Sequence, residues 1–553
     1  MNRIQILFFF CFALPITTFG QNTVGLINYI PAQSSSGYNL VYPHNQPTVF
    51  LLDNCGQLIH RWEDDADFRP GNIAYLMPDG DLIKAKRPSS FIGDAIWAGG
   101  GGATVERLSW NNTSKWTFTQ NDSVNRLHHD IAPMPNGNVL MISWEKKSAA
   151  QAIEKGRDPA KLAEDELWPD YILEYNPNID SIVWEWHAWD HLIQDFDATK
   201  NNFGDVTNHP ELIDLNWDNH NGHPDWLHVN AIDYNEYLDQ IAISVPYFDE
   251  IWIIDHSTTT TEAAGHSGGG YGRGGDLLYR WGNPITYTKD SELEQRLFFS
   301  HDIQWINSQA TEEDPDFGKM VVFNNRLPNN TSSANIFLTP IDTENKKYTS
   351  NSEQIYGPED FTRVITHPDS VVQASSSSVS SVQILPNGNA LVCSGRWGFT
   401  YEITPENKVV WEYILPLQAG SPVSQGTDLS INDNFLFRLK RYQETYSAFD
   451  NRNLEPQGYL EFNPDPMVCD LATSTLNLSQ EDAIIYPNPV NNYLHLSLSS
   501  DTPADILIYN MVGRLIIEAK WSGQPLYLES LPTGAYIMNI KAKRNIFSKF
   551  IKL

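Results

Sequence analysis

Three histidines occur at the same point of a repeating strand pattern, far apart in the sequence. His129 lies in a Leu-His-His-Asp-Ile segment, His228 in Leu-His-Val-Asn-Ala-Ile and His301 in Ser-His-Asp-Ile. Equivalent positions of a radial repeat face one central axis, so we expect these imidazoles to converge at one end of a central channel. Several imidazoles at one point suggest nucleophilic or acid–base chemistry, or a metal site.

Two other interpretations of these histidines remain open. A single histidine in a strand is usually a hydrogen-bonded packing residue, although three in phase make that less common. A metal site would draw on Asp130 and Asp302, which follow two of the histidines. Successive strand residues point to opposite faces, which argues against such chelating pairs, and the chain has no Cys-x-x-Cys motif. We therefore expect neither a metal nor a cofactor.

The elements around these histidines repeat in two half-motifs. A Pro-(Asn/Asp)-Gly-(Asn/Asp) turn, typical of a tight hairpin, occurs at 78–81, 135–138 and 386–389. Strands that end in aromatic residues occur at 58–62, 181–186, 277–281 and 408–413. Short strands with a periodic tryptophan are typical of propeller blades. We predict an all-β, six-bladed β-propeller over 21–465, with an all-β sandwich as the structural alternative.

The last part of the chain has a different pattern. A polar linker is predicted at 466–482, and alternating strands follow over 483–553, which indicates a small antiparallel β-sandwich. From Ile484 to Leu553 there are seven Lys/Arg and four Asp/Glu, whereas the whole chain has a formal net charge of −31. We expect this module to fold separately from the propeller.

The chain begins with features of a secretory signal peptide over residues 1–20: a positive start, an apolar middle and a small-residue end. Cys55, Cys393 and Cys469 remain after it. A Cys55–Cys393 bridge and isolated buried thiols are both left open.

The net charge disfavours a nucleic-acid partner, because such partners select basic surfaces. An anionic substrate would need a locally positive pocket. A Gly-rich insertion over 257–275 contains His266 and Arg273. It could cover the axial pocket, hold an anion or form a flexible surface loop. The aromatic segment 184–191 fits either the core of a blade or the wall of a pocket for a phenol.

The tail resembles the type A C-terminal sorting domain of the type IX secretion system. The resemblance rests on Tyr-Pro-Asn-Pro at 486–489, Met-Val-Gly-Arg at 511–514, Leu-Pro-Thr-Gly-Ala-Tyr at 531–536 and the basic end at 549–552. It implies the type IX machinery as a partner and export through the periplasm and across the outer membrane of a Bacteroidota-type cell. The protein would then be secreted or held at the cell surface, meeting membranes only by transit or anchoring.

The main body resembles the arylsulfotransferase (aryl-sulfate sulfotransferase) family. The segments that carry the resemblance are 51–56, 128–131, 184–191, 225–230, 279–284 and 301–304. The resemblance implies a six-bladed propeller that moves sulfuryl groups between phenols through a sulfohistidine, without a cofactor.

By motif, the catalytic residues are His301 as nucleophile, His228 with Asn230 as the His-x-Asn pair, and His128 with His129 as the first active-site histidines. Asn230, Arg280 and Arg396 are the expected substrate-binding residues. His228 and Asn230 would hold sulfuryl oxygens, and His129 would protonate the phenolate or deprotonate the acceptor.

One position departs from the family. The family has an active-site arginine shortly after the His-x-Asn strand, where this chain has Pro246. The missing cation would have to come from Arg273, Arg280, Arg326 or Arg396, which are candidates by neighbourhood.

We therefore expect a secreted enzyme that transfers a sulfuryl group from an aryl sulfate to a phenol. A non-catalytic propeller that binds a ligand or glycan at the cell surface, and an aryl-sulfate hydrolase, are the alternatives. The substrates would be small phenols and aryl sulfates, and a homodimer is left open.

Overall fold

The computed structural model describes residues 22–342, 344–466, 468–470, 483–498, 503–510, 514–541 and 545–553. The chain divides into two compact units, 24–464 and a second unit formed by 1–23 with 465–553. The predicted signal peptide and most of the predicted linker lie outside the described residues. None of the described helices has the length and apolar character needed to cross a membrane.

The described strands of the first unit form six antiparallel sheets of four or five strands each. In hydrogen-bonded order they are sheet I (Leu436–Tyr442, Tyr38–Pro43, Val49–Leu52, Leu58–Trp62), sheet II (Phe68–Leu76, Leu82–Pro88, Thr104–Leu108, Ser114–Thr119), sheet III (Asn125–Pro133, Val139–Glu145, Asp170–Asn176, Ser181–His187), sheet IV (Ala231–Asn235, Gln240–Val245, Glu250–Asp255, Tyr279–Trp281), sheet V (Ser300–Trp305, Lys319–Asn324, Ser333–Leu338, Arg363–Ile365) and sheet VI (Ser381–Ile384, Ala390–Ser394, Phe399–Ile403, Val409–Ile414, Gly25–Tyr29).

The six sheets form a closed ring. The first strand of each sheet packs against the next sheet, and sheet VI packs against sheet I. Both ends of the unit close the ring, because 436–442 supplies the first strand of sheet I and 25–29 supplies the last strand of sheet VI. This radial arrangement is a propeller, so the predicted all-β propeller class is confirmed.

Large aromatic side chains fill the space between neighbouring sheets. Trp62, Trp186, Trp252 and Trp411 are almost completely buried, and each lies in one of the aromatic strands or next to one. Trp184 and Trp186 belong to the same buried cluster as Trp252. The aromatic segment 184–191 therefore contributes to the core between blades rather than to a pocket wall.

Short helices and strand pairs interrupt the ring. The α-helices are Ala149–Glu154, Thr260–Ala263 and Ile285–Thr288, the 3-10 helices are Pro159–Lys161, Ala188–Asp190, Val206–Asn208, Gly395–Trp397 and Ser447–Phe449, and the short strands are Lys147–Ser148, Glu166–Leu167, Leu192–Ile193, Ile213–Asp214, Leu417–Gln418 and Ser421–Pro422. These segments lengthen the connections without adding strands to the six sheets.

The second unit contains two antiparallel sheets. One has strands Ala483–Tyr486, Tyr493–Leu498 and Leu526–Tyr527, and the other has Leu515–Trp521, Ala504–Asn510, Gly534–Lys541 and Asn545–Lys552. Leu494, Ile506, Met538 and Phe550 are buried in its core. The small antiparallel sandwich predicted for the tail is thus present.

The state of the cysteines decides whether Cys55 and Cys393 form a disulfide bond. Cys393 is free and buried, so it does not bridge to Cys55. Cys55 and Cys469 are each disulfide-bonded.

Candidate active site

Irregular backbone at the start of the first strands positions the histidines. The register with the neighbouring strand shifts around His129 in sheet III and after His301 in sheet V. His129, His228 and Asp302 have positive φ angles of 52°, 57° and 60°. Positive φ is uncommon outside glycine, and such conformations cluster at functional sites. In sheets III and V, the bulges allow the histidine and the aspartate that follows it to contact different groups.

The structure brings the three phased histidines together. The ring centroids of His129 and His228 are 4.5 Å apart. The Phe299 ring lies 5.9 Å from His228 and 5.6 Å from His301. The Phe437 ring lies 6.3 Å from His129 and 6.5 Å from His301. The imidazoles therefore share one small region with two aromatic rings between them.

Two neighbours determine the tautomer of His301. Its Nε2 atom accepts a hydrogen bond from the Val379 backbone N–H at 3.1 Å, and its Nδ1 atom lies 2.8 Å from Asn325 Oδ1. The Asn325 amide nitrogen donates to the carbonyls of Ser376 and Val379, so its oxygen faces the imidazole. His301 therefore carries its proton on Nδ1 and a lone pair on Nε2. Burial is the main cause that lowers the His301 pKa to about 3, so the ring is neutral at pH 7.

His228 forms a carboxylate–imidazole pair. Its Nδ1 atom is 2.5 Å from Asp225 Oδ2, and Asp225 Oδ1 accepts a hydrogen bond from the Trp144 indole at 3.0 Å. The carboxylate keeps the proton on Nδ1 and leaves Nε2 available to a ligand. The His228 side chain is 10% exposed, so this buried pair still has contact with solvent.

His128 supports His129 from behind. Their Nδ1 atoms are 2.8 Å apart, and His128 Nε2 lies 2.9 Å from Asp170 Oδ1. Burial lowers the pKa values of His128 and His129 well below the usual histidine value. It also raises the pKa of the Asp170 carboxyl well above the usual aspartate value. The His128 ring also stacks on Trp144 with ring centroids 3.9 Å apart. His128 is thus enclosed, and His129 is the member of the pair that reaches His228.

Gly100 is a site residue that the sequence reasoning missed. Its carbonyl accepts the His129 backbone N–H at 2.8 Å, and its φ is +83°. A Cβ atom at this position would lie 2.0 Å from His129 Nε2. Only glycine permits this approach. A Gly-Gly-Gly-Gly run at 99–102 was the available signal.

Asn230 lies in the group but has no free amide atom. Its Oδ1 accepts from the Ser244 hydroxyl at 2.5 Å, and its Nδ2 donates to the Ser300 carbonyl at 2.9 Å. The side chain is completely buried. This geometry gives Asn230 a positioning role, since it ties sheet IV to the residue before His301.

The structure does not bring Arg280 to the histidines. Arg280 lies in the last strand of sheet IV, where its buried guanidinium binds Glu250 and the Thr286 hydroxyl. It also lies over the Tyr287 ring. These contacts explain Arg280 as a structural residue of the outer part of that sheet.

Arg326 and Arg396 instead contact the loop 376–380, in which the Val379 N–H donates to His301. Arg326 Nε donates to the Ser377 carbonyl at 2.8 Å, and the Arg396 guanidinium donates to the Ser377 hydroxyl. The Arg326 guanidinium carbon lies 3.5 Å from the Phe299 ring centroid. Burial lowers the Arg326 pKa, and the charge of Arg396 lowers it further. The two cations form a locally positive rim in a strongly acidic chain.

Pro246 lies in a turn between two strands of sheet IV. The Phe248 N–H donates to the Val245 carbonyl and the Asp249 N–H to the Pro246 carbonyl, both at 3.0 Å. Tyr247 follows, with its ring centroid 5.1 Å from His228. The turn therefore supplies an aromatic wall where the family pattern led us to expect a cation.

Two further histidines that the sequence reasoning missed stand beside this wall. Tyr247 stacks on His220 with ring centroids 4.1 Å apart, and His223 lies 4.5 Å from His220. Both occur in the insertion just before His228, a position that the strand pattern does not mark.

The aspartates that follow the histidines have a different partner. Arg438, in the first strand of sheet I, contacts Asp130 at 2.7 Å and Asp302 at 2.5 Å. The Tyr75 hydroxyl also donates to Asp130 at 3.0 Å. These carboxylates neutralise a buried arginine in the layer next to the histidines, so they are not directed at a shared ligand with them.

Fold and site together define a β-propeller with a histidine-lined axial site that is flanked by arginines and aromatic rings. The family model described as Arylsulfotransferase (ASST) matches residues 43–415, and the chain belongs to this family. The model described as Secretion system C-terminal sorting domain matches residues 484–553. The tail is thus a type IX sorting domain, which indicates export and a secreted or surface location.

Several solved structures resemble the chain at low identity. A protein of unknown function from Bacteroides caccae is 10% identical with a TM-score of 0.37, over 74% of this chain and 100% of that one. The Dos1 propeller is 8% identical with a TM-score of 0.29, over 97% and 96%. PorZ, a surface component of the type IX secretion system of Porphyromonas gingivalis, is 10% identical with a TM-score of 0.23, over 92% and 80%. No curated protein matches the chain.

Proposed function

We propose that this protein is an exported aryl-sulfate sulfotransferase that works through a sulfohistidine at His301. The observation that carries the proposal is a neutral His301 whose Nδ1 proton is held by Asn325, so that its lone pair lies on Nε2, where it accepts only the Val379 backbone N–H. A neutral imidazole is a nucleophile that needs no cofactor. The family membership supports the same reaction class.

In the first half-reaction, the His301 Nε2 lone pair forms a bond to sulfur. The bond between sulfur and the phenolic oxygen breaks, and the leaving phenolate takes that electron pair and a proton. His228, protonated on both ring nitrogens and bound to Asp225 through Nδ1, would deliver its Nε2 proton to the phenolate and become neutral, with His129 beside it. Phe299, Phe437 and Tyr247 offer faces for the aromatic ring.

The second half-reaction reverses these roles. An acceptor phenol gives its proton to His228, and its oxygen attacks sulfur. The nitrogen–sulfur bond breaks, and its electron pair returns to His301 Nε2. No oxidant, reductant or metal is needed for either half.

Charge stabilisation would come from the positive rim. By analogy with phosphoryl transfer, most of the catalysis is placement and stabilisation of charge on the nonbridging oxygens. Arg326 and Arg396, rather than a residue at position 246, supply the cations. Because the Val379 N–H occupies the Nε2 lone pair, attack requires a shift of the loop 376–380, after which this N–H is free to donate to a sulfuryl oxygen.

We also propose the domain limits that the sequence suggests: a signal peptide at 1–20, the propeller at 21–465, a linker at 466–482 and the sorting domain at 483–553. The partners would be phenols and aryl sulfates for the propeller and the type IX machinery for the tail. The protein would pass through the periplasm during export.

The test is turnover of 4-nitrophenyl sulfate by the purified protein, with and without phenol. We expect 4-nitrophenol release that depends on phenol and is abolished in His301→Ala. His60→Gln is the matched control, because His60 lies in the outermost strand of sheet I. Release without phenol would identify a hydrolase. Wild-type inactivity across several donors would overturn the proposal and favour a ligand-binding propeller, for which Pro246 in place of the family arginine would be the reason.

A further inference from the structure

The Gly-rich insertion between the last two strands of sheet IV is an ordered structure. The helix Thr260–Ala263 begins with a capping box between Thr259 and Glu262. The Gly270 N–H donates to the Ser257 hydroxyl at 2.6 Å, and the Tyr271 N–H donates to Asp255 at 3.1 Å. These bonds hold the insertion against the outer strands rather than over the axial histidines.

Three potential metal ligands meet where this insertion contacts sheet III. His191 Nδ1 and His266 Nδ1 each lie 2.8 Å from Asp276 Oδ1. The three ligand atoms all lie within 4.8 Å of one another. His191 follows the last strand of sheet III, whereas Asp276 precedes the last strand of sheet IV. The group therefore joins the outer edges of two neighbouring blades.

The two ring nitrogens of His191 have different partners. Its Nε2 atom lies 2.8 Å from the Ala263 carbonyl oxygen, which can only accept, so Nε2 carries the proton. Its Nδ1 atom faces Asp276 Oδ1 and is the ring atom available to bind an ion together with Asp276 and His266. Hydrogen bonding of the second ring nitrogen to a carbonyl is the usual way in which a ligating histidine is oriented.

The surroundings fix the His191 ring. It stacks on Trp186 with an interplanar angle of 3°. A Cβ atom at Gly275 would lie 2.6 Å from His191 Nε2 and 2.0 Å from the Ala263 carbonyl, so glycine is required there. The Gly275 carbonyl also accepts from the Trp186 indole at 2.7 Å. A buried ligand is thus paired with an exposed one, because the His266 side chain is 62% exposed.

We propose that His191, His266 and Asp276 bind a divalent transition-metal ion, with Zn²⁺ as the best fit. Two imidazoles and one carboxylate are ligands that zinc takes readily, and the exposure of His266 leaves water access to a fourth position. The last strand of a four-stranded sheet lies three strand spacings, roughly 14 Å, from the first strand, where the axial histidines lie. The ion would fasten the insertion to the edge of sheet III, and sulfuryl transfer would not depend on it.

The test is zinc binding by the purified full chain after removal of metal by a chelator. We expect one Zn²⁺ per chain by mass spectrometry of the metal content, and a tetrahedral absorption band with Co²⁺. Zinc should also raise the thermal unfolding temperature, because a ligand that binds only the folded state stabilises it. In His266→Gln, all three effects should be lost.

His256→Gln is the matched control. His256 also contacts two carboxylates, Asp239 at 2.7 Å and Glu174 at 3.0 Å, one through each ring nitrogen, whereas the second ring nitrogen of His191 contacts a carbonyl. Those carboxylates are the favourable partners that raise the His256 pKa to about 9, so it is a cation rather than a ligand. Zinc binding should survive in this variant. A variant of the buried His191 would disturb packing, so Asp276→Asn serves as the second variant that removes a ligand.

Failure of wild-type protein to bind zinc, or undiminished binding in both His266→Gln and Asp276→Asn, would overturn the proposal.

Discussion

At the residue scale, the chemistry depends on how each imidazole is polarised by its neighbour. Asn325 holds the Nδ1 proton of His301, and Asp225 does the same for His228. The consequences differ: an amide partner leaves His301 a neutral nucleophile, whereas the carboxylate partner of His228 orients the ring and leaves Nε2 outside that bond. The two rings are thereby suited to the two roles of nucleophile and proton carrier.

Arg326 gives the first residue-scale prediction. Replacing it by methionine removes the cation nearest the Phe299 ring and should lower kcat/KM for an aryl sulfate about 10²–10³-fold, as loss of one oxyanion donor typically does. Steady-state kinetics with 4-nitrophenyl sulfate measure this. Arg61→Met is the control, because Arg61 is an exposed residue that pairs with Glu63. Equal rates for both variants would show that the cation at the rim has no part in the reaction.

Gly100 gives the second residue-scale prediction. Alanine at this position would push His129 from its place, and a displacement of about 1 Å can cost about 10²-fold in rate. Gly93→Ala separates backbone strain from displacement, because Gly93 has a φ of +90° with no described atom within 4 Å of the added Cβ. We expect a loss of thermal stability in both variants, larger in Gly100→Ala because of the added clash, and a large loss of turnover only in Gly100→Ala. Full activity of Gly100→Ala would contradict the close packing against His129.

The sequence marks the histidines but not the groups that tune them. The common position of His129, His228 and His301 in the strand pattern predicted that they meet, because the starts of equivalent strands in a radial repeat face the same axis. Asn325, Val379 and Gly100 escaped notice, since their contacts cross between sheets or come from loops that follow no period. Arg280, expected to bind substrate, lies in the last strand of sheet IV. Proximity in sequence to a motif does not show which strand of a blade faces the channel.

At the element scale, the ring depends on the strand Leu436–Tyr442. It forms the first strand of sheet I, although the rest of that sheet comes from the other end of the unit. Arg438 in this strand also joins Asp130 of sheet III to Asp302 of sheet V. Sequence repeats predicted the sheets, but no repeat shows that one blade is assembled from both ends of the chain.

The element-scale prediction concerns two truncations. Residues 22–470 retain all six sheets and Cys469, so this protein should fold and keep the turnover of the full chain. Residues 22–435 lack the first strand of sheet I and should fail to unfold cooperatively on heating. Circular dichroism during heating and limited proteolysis distinguish the two. Unfolding or aggregation of 22–470 would contradict an independent sorting domain.

At the scale of the whole molecule, charge acts in opposite directions at two distances. The chain carries a formal net charge of −31, which repels an anionic aryl sulfate at long range. Arg326 and Arg396 attract it only near the site, where they lie within contact of the loop over His301. Salt screens the long-range part first, because the Debye length falls from about 30 Å at 0.01 M to about 10 Å at 0.1 M.

We therefore expect the KM for an anionic donor to fall as ionic strength rises from about 0.01 to 0.15 M, while the KM for a neutral phenol stays constant. Initial rates with each substrate varied in turn measure both constants. In Arg326→Met the KM for the donor should be higher at every salt concentration with the same dependence on salt, since the long-range field barely changes. A donor KM that rises with salt in the wild type would show that the two arginines dominate the approach of the substrate, and that the acidic surface has no influence on it.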